Sequence, residues 1–264
     1  MNILICGDVV GRTGREIILK KLPLIISEEK IDFVIVNGEN AAGGFGITKK
    51  ICNAFYDVGV DVITTGNHVW DQNDILETLN NDPRILRPNN YPKNCPGKGL
   101  GTYRLADGSN IVVINIMCRL FMENIDDPFS ILEQTLNQVK DKKEQIIIVD
   151  VHGEATSEKM AIGHFLDGRV TAVVGTHTHV PTSDLHIMKK GTFYQTDLGM
   201  CGDYDSVVGM KKEISIAKFT KNHLKLRHEP ATGEATLCGV ILNIDTKGQI
   251  KKFKQVQNEG IIGR

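Results

Sequence analysis

Phe33-Val34-Ile35-Val36-Asn37-Gly38-Glu39-Asn40 is the stretch that decides the fold. It opens with four apolar residues, most of them β-branched, and such an unbroken run is typical of a strand covered on both faces. The run passes at once into a glycine followed by a carboxylate and an amide. This pattern predicts a buried strand of an α/β sheet, with a ligand site at the sheet's carboxyl edge.

Similar apolar runs recur along the first two thirds of the chain and alternate with amphipathic segments. Strands are predicted at 2–6, 33–37, 61–65, 111–116, 146–151 and 170–174, and helices at 14–29, 48–58, 72–80, 129–142 and 157–166. Alternation of this kind indicates a layered α/β fold. Because no Pro- or Ser-rich linker interrupts the chain, residues 1–264 are expected to form a single domain.

The pattern changes after about residue 180. Short strand-like runs at 185–188, 192–196, 213–219, 235–244 and 249–256 predict an antiparallel or mixed second sheet packed on the first. Residues 83–101 contain four prolines, three glycines and three asparagines. They are expected to form a long loop, and long loops in compact domains are often functional.

Potential metal ligands follow five of the predicted strands. They are the carboxylates, amides and imidazoles of Asp8, Glu39, Asn40, Asn67, His152, His177 and His179. Because ligands of open α/β sheets bind at the carboxyl ends of the strands, these side chains are expected to meet at one edge. The most specific single feature is His177-Thr178-His179, since two imidazoles two residues apart at a bend can converge on adjacent ions.

Each of these residues also has a simple structural explanation. An Asp after a strand is most often a turn or N-cap residue, and Asn67 alone could be a left-handed turn residue. A histidine at a strand end is more often a hydrogen-bonded surface residue than a ligand. The whole set favours a metal site, and so do the glycines at 7, 38, 66, 153 and 175. Each of these glycines lies beside a candidate ligand, where a missing Cβ permits a tight turn or close backbone approach.

Oxygen and imidazole ligands without a cysteine favour a manganese, iron or zinc site of that donor type over a zinc site built from cysteine thiolates. The position of Glu39 indicates that it bridges, so two metal ions per chain are expected: iron or manganese, with zinc as the alternative. Such a pair lowers the pKa of a shared water and clamps a phosphate. His68 directly follows Asn67 and is expected to act as general acid at the leaving oxygen, with Asp71 to orient it.

The motifs around these residues resemble those of calcineurin-like metallophosphoesterases, and most closely the YmdB-like bacterial phosphodiesterase branch. The resemblance rests on 7–12, 37–44, 66–68, 152–159, 175–181 and 196–202. It implies two facing mixed β-sheets flanked by helices, with the metal ions at the loop edge. It also implies a phosphodiesterase that hydrolyses small phosphodiesters, including 2′,3′-cyclic nucleotides.

By position, the resemblance implies two groups of ligands and the role of acid for His68. One ion takes Asp8, Glu39, Asn40 and His179, and the other takes Glu39, Asn67, His152 and His177. The chain departs from the wider superfamily at Val10, where a histidine is usual, and at Glu39, where the bridging residue is usually an aspartate. Both departures are shared with the YmdB-like branch, and Asn40 is the expected substitute ligand.

Bulk composition limits the partners and the compartment. With 31 basic and 32 acidic residues, the chain has no excess of positive charge to attract duplex nucleic acid. Its six cysteines form no CxxC pair, which is typical of free thiols in a reducing compartment. No apolar run approaches the roughly 20 residues of a membrane span, so no membrane contact is expected and the protein is predicted to be cytoplasmic.

Three functions are compatible with these residues. The first is hydrolysis of a small phosphodiester, a 2′,3′-cyclic nucleotide above all, by a metal-bridging hydroxide with His68 as acid. The second keeps the metals but acts on a phosphomonoester or an RNA end, because loops govern specificity. The third is a nucleotide-binding regulatory protein with little turnover. A homo-oligomer is left open, since no residue points to an interface.

Overall fold

The computed structural model describes residues 1–105, 108–139, 145–221, 225–245 and 247–263. The strands are β1 (Asn2–Val9), β2 (Phe33–Asn37), β3 (Val62–Thr64), β4 (Ile85–Leu86), β5 (Leu100–Arg104), β6 (Asn110–Met117), β7 (Gln145–His152), β8 (Ala172–Thr176), β9 (His186–Ile187), β10 (Phe193–Gln195), β11 (Met200–Asp203), β12 (Ala235–Ile244) and β13 (Ile250–Asn258). The helices are α1 (Gly11–Glu29), α2 (Lys49–Asp57), α3 (Ile75–Asn81), α4 (Pro128–Val139), α5 (Thr156–Leu166) and α6 (Lys212–Thr220), and a 3₁₀ helix spans Asn67–Trp70.

These strands form two mixed sheets. The first has the order β13-β12-β11-β1-β2-β3-β4, and the second has the order β5-β6-β7-β8-β10-β9. In the first sheet β1, β2 and β3 run parallel, with Ile35 opposite both Ile5 and Val62. In the second, β6, β7 and β8 run parallel, with Ile148 opposite Val113 and Ala172.

The two sheets face each other across a shared apolar core. Ile3, Ile5 and Ile35 of the first sheet belong to the same buried cluster as Val113 and Ile148 of the second. Because successive side chains of a strand point to opposite faces, the intervening residues have to be covered from outside. Helices provide that cover on both sides.

On the outer face of the first sheet, Leu4 and Val36 pack in one cluster with Leu22 of α1 and Phe55 of α2. On the outer face of the second sheet, Ile114 and Val149 pack with residues of α4 and α5. The layers are therefore helix, sheet, sheet, helix. The expected α/β fold, with two facing mixed β-sheets flanked by helices, is confirmed.

Several local predictions differ from the structure. Residues 213–219 lie in helix α6 and not in a strand: their apolar–polar alternation does not mark a buried face, because Ser215 is buried whereas Ile216 and Phe219 are exposed. The predicted loop 83–101 includes strand β4 and the start of β5, and β11 was not predicted. Residues 140–142 of the predicted helix 129–142 lie outside the described residues.

The predicted grouping of strands into sheets was also wrong. The C-terminal strands β12 and β13 extend the first sheet, whereas β9 and β10 join the second, so no sheet is built from the last third alone. The cause is long-range pairing: β12 lies antiparallel to β1, with Ile241 opposite Leu4. None of the helices formed by the described residues is long and apolar enough to cross a membrane.

Candidate metal centre

The seven predicted ligands come from both sheets. Asp8 lies near the end of β1, and Glu39 and Asn40 follow β2. Asn67 opens the 3₁₀ helix that follows β3, so these residues lie at the carboxyl ends of three parallel strands. His152 ends β7 of the second sheet, and the His177–His179 turn follows β8. The single edge that was expected is therefore the common carboxyl edge of two facing sheets.

Five of these residues form two overlapping groups. Ligand atoms of Glu39, His152 and His177 lie within 4.8 Å of one another, and the same holds for Asp8, Glu39 and His179. Glu39 belongs to both groups, and its side chain is almost completely buried. A carboxylate shared between two ligand groups is the arrangement that a bridging ligand requires.

The amide oxygens of Asn40 and Asn67 complete the groups. Asn40 Oδ1 lies 3.2 Å from His179 Nε2, while Asn40 Nδ2 donates to the carbonyl of Gly44 at 3.1 Å. Asn67 Oδ1 lies 3.2 Å from His152 Nε2. The structure thus brings together all seven predicted residues.

In His179 and His152, the hydrogen bond made by Nδ1 determines the state of Nε2, the nitrogen that faces the ligand groups. His179 Nδ1 donates to the carbonyl of Val208 at 2.8 Å. His152 Nδ1 lies 2.9 Å from the Thr176 hydroxyl, which itself donates to Asp150 at 2.7 Å and therefore accepts from the imidazole. Both neutral rings thus present an unprotonated Nε2, a tautomer choice of the kind that second-shell hydrogen bonds impose on metal-ligating histidines.

The two Nε2 atoms face hydrogen-bond acceptors, the side-chain oxygens of Asn40, Asn67 and Glu39. When the rings are neutral, neither atom of such a contact carries a hydrogen to donate. A metal ion would satisfy such converging lone pairs. Asp8 supports this fit, because its Oδ2 accepts from the His177 backbone at 3.0 Å whereas its buried Oδ1 has no hydrogen-bond partner in the part of the chain that the structure describes. The donor set of carboxylate, amide and imidazole also suits divalent iron, manganese or zinc.

Gly66 leaves the space that this cluster occupies. A Cβ at this position would lie 2.1 Å from Glu39 Oε2 and 2.2 Å from His152 Nε2. Its backbone does not have a positive φ. Close approach to the ligands, and not turn geometry, is therefore the reason for this glycine.

Burial and charge shift the titration of the ligands in opposite directions. Burial raises the pKa of Asp8 well above its ordinary value. Burial and the neighbouring His152 lower the pKa of His177 to about 3. Burial alone would raise the pKa of Glu39, but the His152 imidazole beside it lowers it to about 2. Burial likewise opposes the charged form of His152, yet Glu39 raises its pKa to about 9.

The last two shifts describe one ion pair, in which His152 Nε2 lies 3.0 Å from Glu39 Oε2. Without a cation, a proton on His152 compensates the buried carboxylate. A metal ion at the same place would replace that proton, because histidine binds metals as the neutral imidazole.

His68 lies beside the ligand groups and belongs to neither of them. Its Nδ1 lies 2.8 Å from Asp71 Oδ2, as predicted, so that an ionised Asp71 accepts a hydrogen bond from the ring. The Phe45 ring contacts His68 edge-on, with the ring centroids 5.0 Å apart. The imidazole is thus held on two sides and is partly exposed.

Sequence reasoning missed the ion pair below the His177–His179 turn. Lys159 Nζ donates to the Thr176 carbonyl at 2.9 Å and to Asp197 Oδ2 at 2.8 Å, and both side chains are at most 1% exposed. The same carboxylate accepts from the Thr178 backbone at 3.0 Å and from its hydroxyl at 2.7 Å. The available signal was a lysine on the buried face of α5, three residues before Ile162.

This support matters because the turn is strained. His177 and His179 have φ of 96° and 65°, in the left-handed region that residues other than glycine adopt at a cost. The Lys159–Asp197 pair holds Thr178 between them. Glu154, at the rim, adds a contact from its Oε2 to His177 Nε2 at 3.2 Å.

The chain is similar in sequence and in fold to known proteins. The model of the family described as YmdB-like protein matches residues 4–256. A 2′,3′-cyclic-nucleotide 2′-phosphodiesterase of Bacillus subtilis (strain 168) is 45% identical over 257 residues, which cover 97% of this chain and 96% of that protein.

Two solved structures share the whole fold. A hypothetical protein from Thermus thermophilus superposes with a TM-score of 0.92 at 38% identity, covering 99% of this chain and 100% of the other. A protein described as a novel phosphatase from Mycoplasma pneumoniae gives a TM-score of 0.91 at 33% identity, covering 98% and 93%.

Proposed function

The chain belongs to the YmdB-like family of calcineurin-like metallophosphoesterases, and on that premise we propose that it is a binuclear metal-dependent phosphodiesterase. The observation that carries the proposal is the pair of ligand groups that share Glu39. Small phosphodiesters, 2′,3′-cyclic nucleotides above all, are the proposed substrates. The Bacillus subtilis relative, whose name gives that activity, supports this choice.

The seven residues would hold two ions, one in each group. Asp8, Glu39, Asn40 and His179 would hold the first, and Glu39, Asn67, His152 and His177 the second. Iron or manganese is proposed, with zinc as the alternative, because hard carboxylate and amide oxygens combined with imidazole nitrogens suit these ions. When bound, such a pair activates a water for attack on phosphorus and stabilises the charge that develops on the phosphate oxygens.

His68 is proposed as the general acid. Its Nδ1 is occupied by Asp71, so Nε2 is the atom that would give a proton to the departing ribose oxygen as the P–O bond breaks. The product of a 2′,3′-cyclic nucleotide would be a nucleoside monophosphate. The Phe45 contact keeps the imidazole ring from swinging away.

Substrate comparison tests the reaction class. The Mn²⁺- and Fe²⁺-loaded chain is assayed with 2′,3′-cyclic AMP, bis-p-nitrophenyl phosphate and the monoester p-nitrophenyl phosphate. We expect kcat/KM to be highest for the diesters and to vanish in Asp8→Ala. Faster turnover of the monoester would reassign the chain as a phosphomonoesterase, and wild-type rates no higher than those of Asp8→Ala would overturn the enzyme assignment.

The role of His68 has its own readout. His68→Ala is expected to lower kcat by about 10²–10⁴-fold on 2′,3′-cyclic AMP, with a smaller loss on bis-p-nitrophenyl phosphate, because p-nitrophenolate leaves without protonation. His164→Ala, which removes an exposed histidine of α5, is the matched control and should leave both rates unchanged. Equal losses on the two substrates would contradict the assignment of His68 as acid.

We also propose that the chain is one domain and that it is cytoplasmic. The two sheets share a single apolar core, which supports one folding unit. All six cysteines are free and five of them are buried, in keeping with a reducing compartment.

A further inference from the structure

A polar cavity lies between the segment that follows β4 and helix α4. Its volume is about 310 Å³. The polar side chains that line it include Arg87, Asn89, Lys93, Lys98, Gln134 and Gln138. None of the seven proposed metal ligands is among the lining residues.

Arg87 is the residue that makes this cavity unusual. Its side chain is only 4% exposed. Nε donates to the Pro96 carbonyl at 3.0 Å and Nη1 to the Pro88 carbonyl at 2.7 Å, so both bonds go to neutral acceptors and neither uses Nη2. Within the described ranges, no carboxylate forms an ion pair with this guanidinium, and burial lowers its pKa.

A buried arginine without a counter-charge is costly, because desolvation is compensated only by an anion or by further hydrogen bonds. Among the residues that the structure describes, the other charged groups of the cavity are Lys93, Lys98 and Asp126, all exposed, and with Arg87 they give a net charge of +2 (three cations minus one carboxylate). Gln134 and Gln138 lie one helical turn apart on α4 and add amide donors. The cavity is therefore built to attract and bind an anion.

We propose that this cavity binds a phosphate dianion, either free or carried on a nucleoside. The guanidinium is a planar fork whose geometry matches the oxygens of a phosphate, and nearby lysines favour a dianion over a singly charged carboxylate. Asn89 is held in place because its Nδ2 donates to the Thr135 hydroxyl at 2.8 Å, so one wall of the cavity is preformed. A cavity of this volume accommodates more than a bare phosphate.

The site is separate from the metal centre, although packed side chains connect the two. Tyr91 lines the cavity and packs edge-on against Trp70, with ring centroids 5.2 Å apart. Trp70 ends the 3₁₀ helix that begins with Asn67. Because none of the proposed metal ligands lines the cavity, a phosphate there would not be a ligand of the metal ions.

Phosphate titration by isothermal calorimetry tests the proposal. Inorganic phosphate and adenosine 3′-monophosphate are titrated into the metal-loaded full chain and, in a second series, into the chelator-treated chain. A phosphate on the metal ions would be lost with those ions, whereas one at Arg87 would remain. The failure of this site and the failure of the proposed catalytic centre are thus distinguishable.

We expect one saturable phosphate per chain after chelator treatment. Arg87→Gln and Lys98→Gln should each weaken it by about ten-fold or more, as the loss of a charge-assisted hydrogen bond implies. Arg84→Gln is the matched control, since this exposed arginine is paired with Asp82 outside the cavity. Because Lys98 is exposed, its variant is expected to fold even if Arg87→Gln does not.

Tighter binding of the nucleotide would identify the ligand as a nucleoside phosphate, and equal binding would identify free phosphate; both support the site. No saturable binding to the chelator-treated wild type would overturn the proposal. The proposal would also be overturned if Lys98→Gln bound phosphate with wild-type affinity and Arg87→Gln either did the same or failed to fold.

Discussion

Replacing Lys159 by methionine tests whether the buried ion pair next to the His177–His179 turn holds the proposed metal ligands in place. The change removes the charge and both hydrogen bonds of Nζ, one to the Thr176 carbonyl and one to Asp197. Methionine retains most of the volume of the side chain. The perturbation is therefore electrostatic, with little cavity formation.

The structure sets the size of the effect. Asp197 would stay completely buried and would keep its donors from Thr178 and Gly199, but its charge would have no counter-ion. Removing one partner of a buried pair costs about 3–5 kcal/mol. For a chain of this size that corresponds to a fall in Tm on the order of 10 °C. Loss of a group that orients metal ligands lowers metal affinity by about 10–100-fold.

Two measurements separate stability from metal binding. Calorimetry gives the Tm of the chelator-treated chain, and a Mn²⁺ titration gives the metal Kd. The double variant Lys159→Met/Asp197→Asn should recover part of the lost stability, because no charge is left unpaired, while its Mn²⁺ affinity stays low. Lys50→Met, at an exposed position of α2, is the control and should change neither quantity.

An unchanged Mn²⁺ Kd in Lys159→Met would refute the reasoning. If Tm fell alone, the pair would serve the fold and not the ligands. If neither quantity changed, the buried charge of Asp197 would have to be compensated by Thr178 and Gly199 alone.

Three further outcomes follow from the site. Gly66→Ala is expected to abolish metal uptake, because its Cβ would lie 2.1 Å from Glu39 Oε2; a variant with native circular dichroism and two bound ions would contradict this. Asp71→Asn is expected to lower kcat on 2′,3′-cyclic AMP by about ten-fold or more, because the carboxylate charge that faces His68 Nδ1 is lost, with little change on bis-p-nitrophenyl phosphate; the opposite ranking would exclude Asp71 as the orienting residue. In the metal-free chain, the pKa of His152 is raised from 6.5 to about 9, so the stability it contributes is fully present below pH 6.5 and is lost as pH rises through 9. Calorimetric Tm should therefore fall between pH 6.5 and 9, and Glu39→Gln should flatten that slope; a Tm that rises across this interval would be inconsistent with the pair.

Local sequence patterns were sufficient for the elements that carry the site. The predicted strand 33–37 matches β2 at both ends, and the predicted helix 48–58 contains α2. A β-branched run followed by glycine and polar residues specifies a buried strand with its side chains displayed at the end. The identities of the seven candidate ligands, and the pairing of His68 with Asp71, could therefore be predicted without knowledge of the tertiary structure.

Other features depend on residues that are far apart in the chain. Whether β12 joins the first or the second sheet is decided by its pairing with β1, more than 200 residues away in sequence, and no local pattern encodes such a partner. Residues 213–219 have the alternation of a strand, but they form α6, with Ile216 and Phe219 exposed. Alternation predicts a strand only where a sheet is available to cover one of its faces.

The chain's sequence by itself indicated the candidate ligand types and the strand ends at which they lie, since both are properties of short segments. The tertiary structure alone decided that these ends belong to two facing sheets, that Glu39 lies within reach of both ligand groups, and that Lys159 pairs with Asp197 below the turn. It also left Arg87 buried with no carboxylate paired to it among the described residues. The physical reason is that burial and electrostatic pairing depend on neighbours in space, which strand pairing and core packing bring together only when the chain folds.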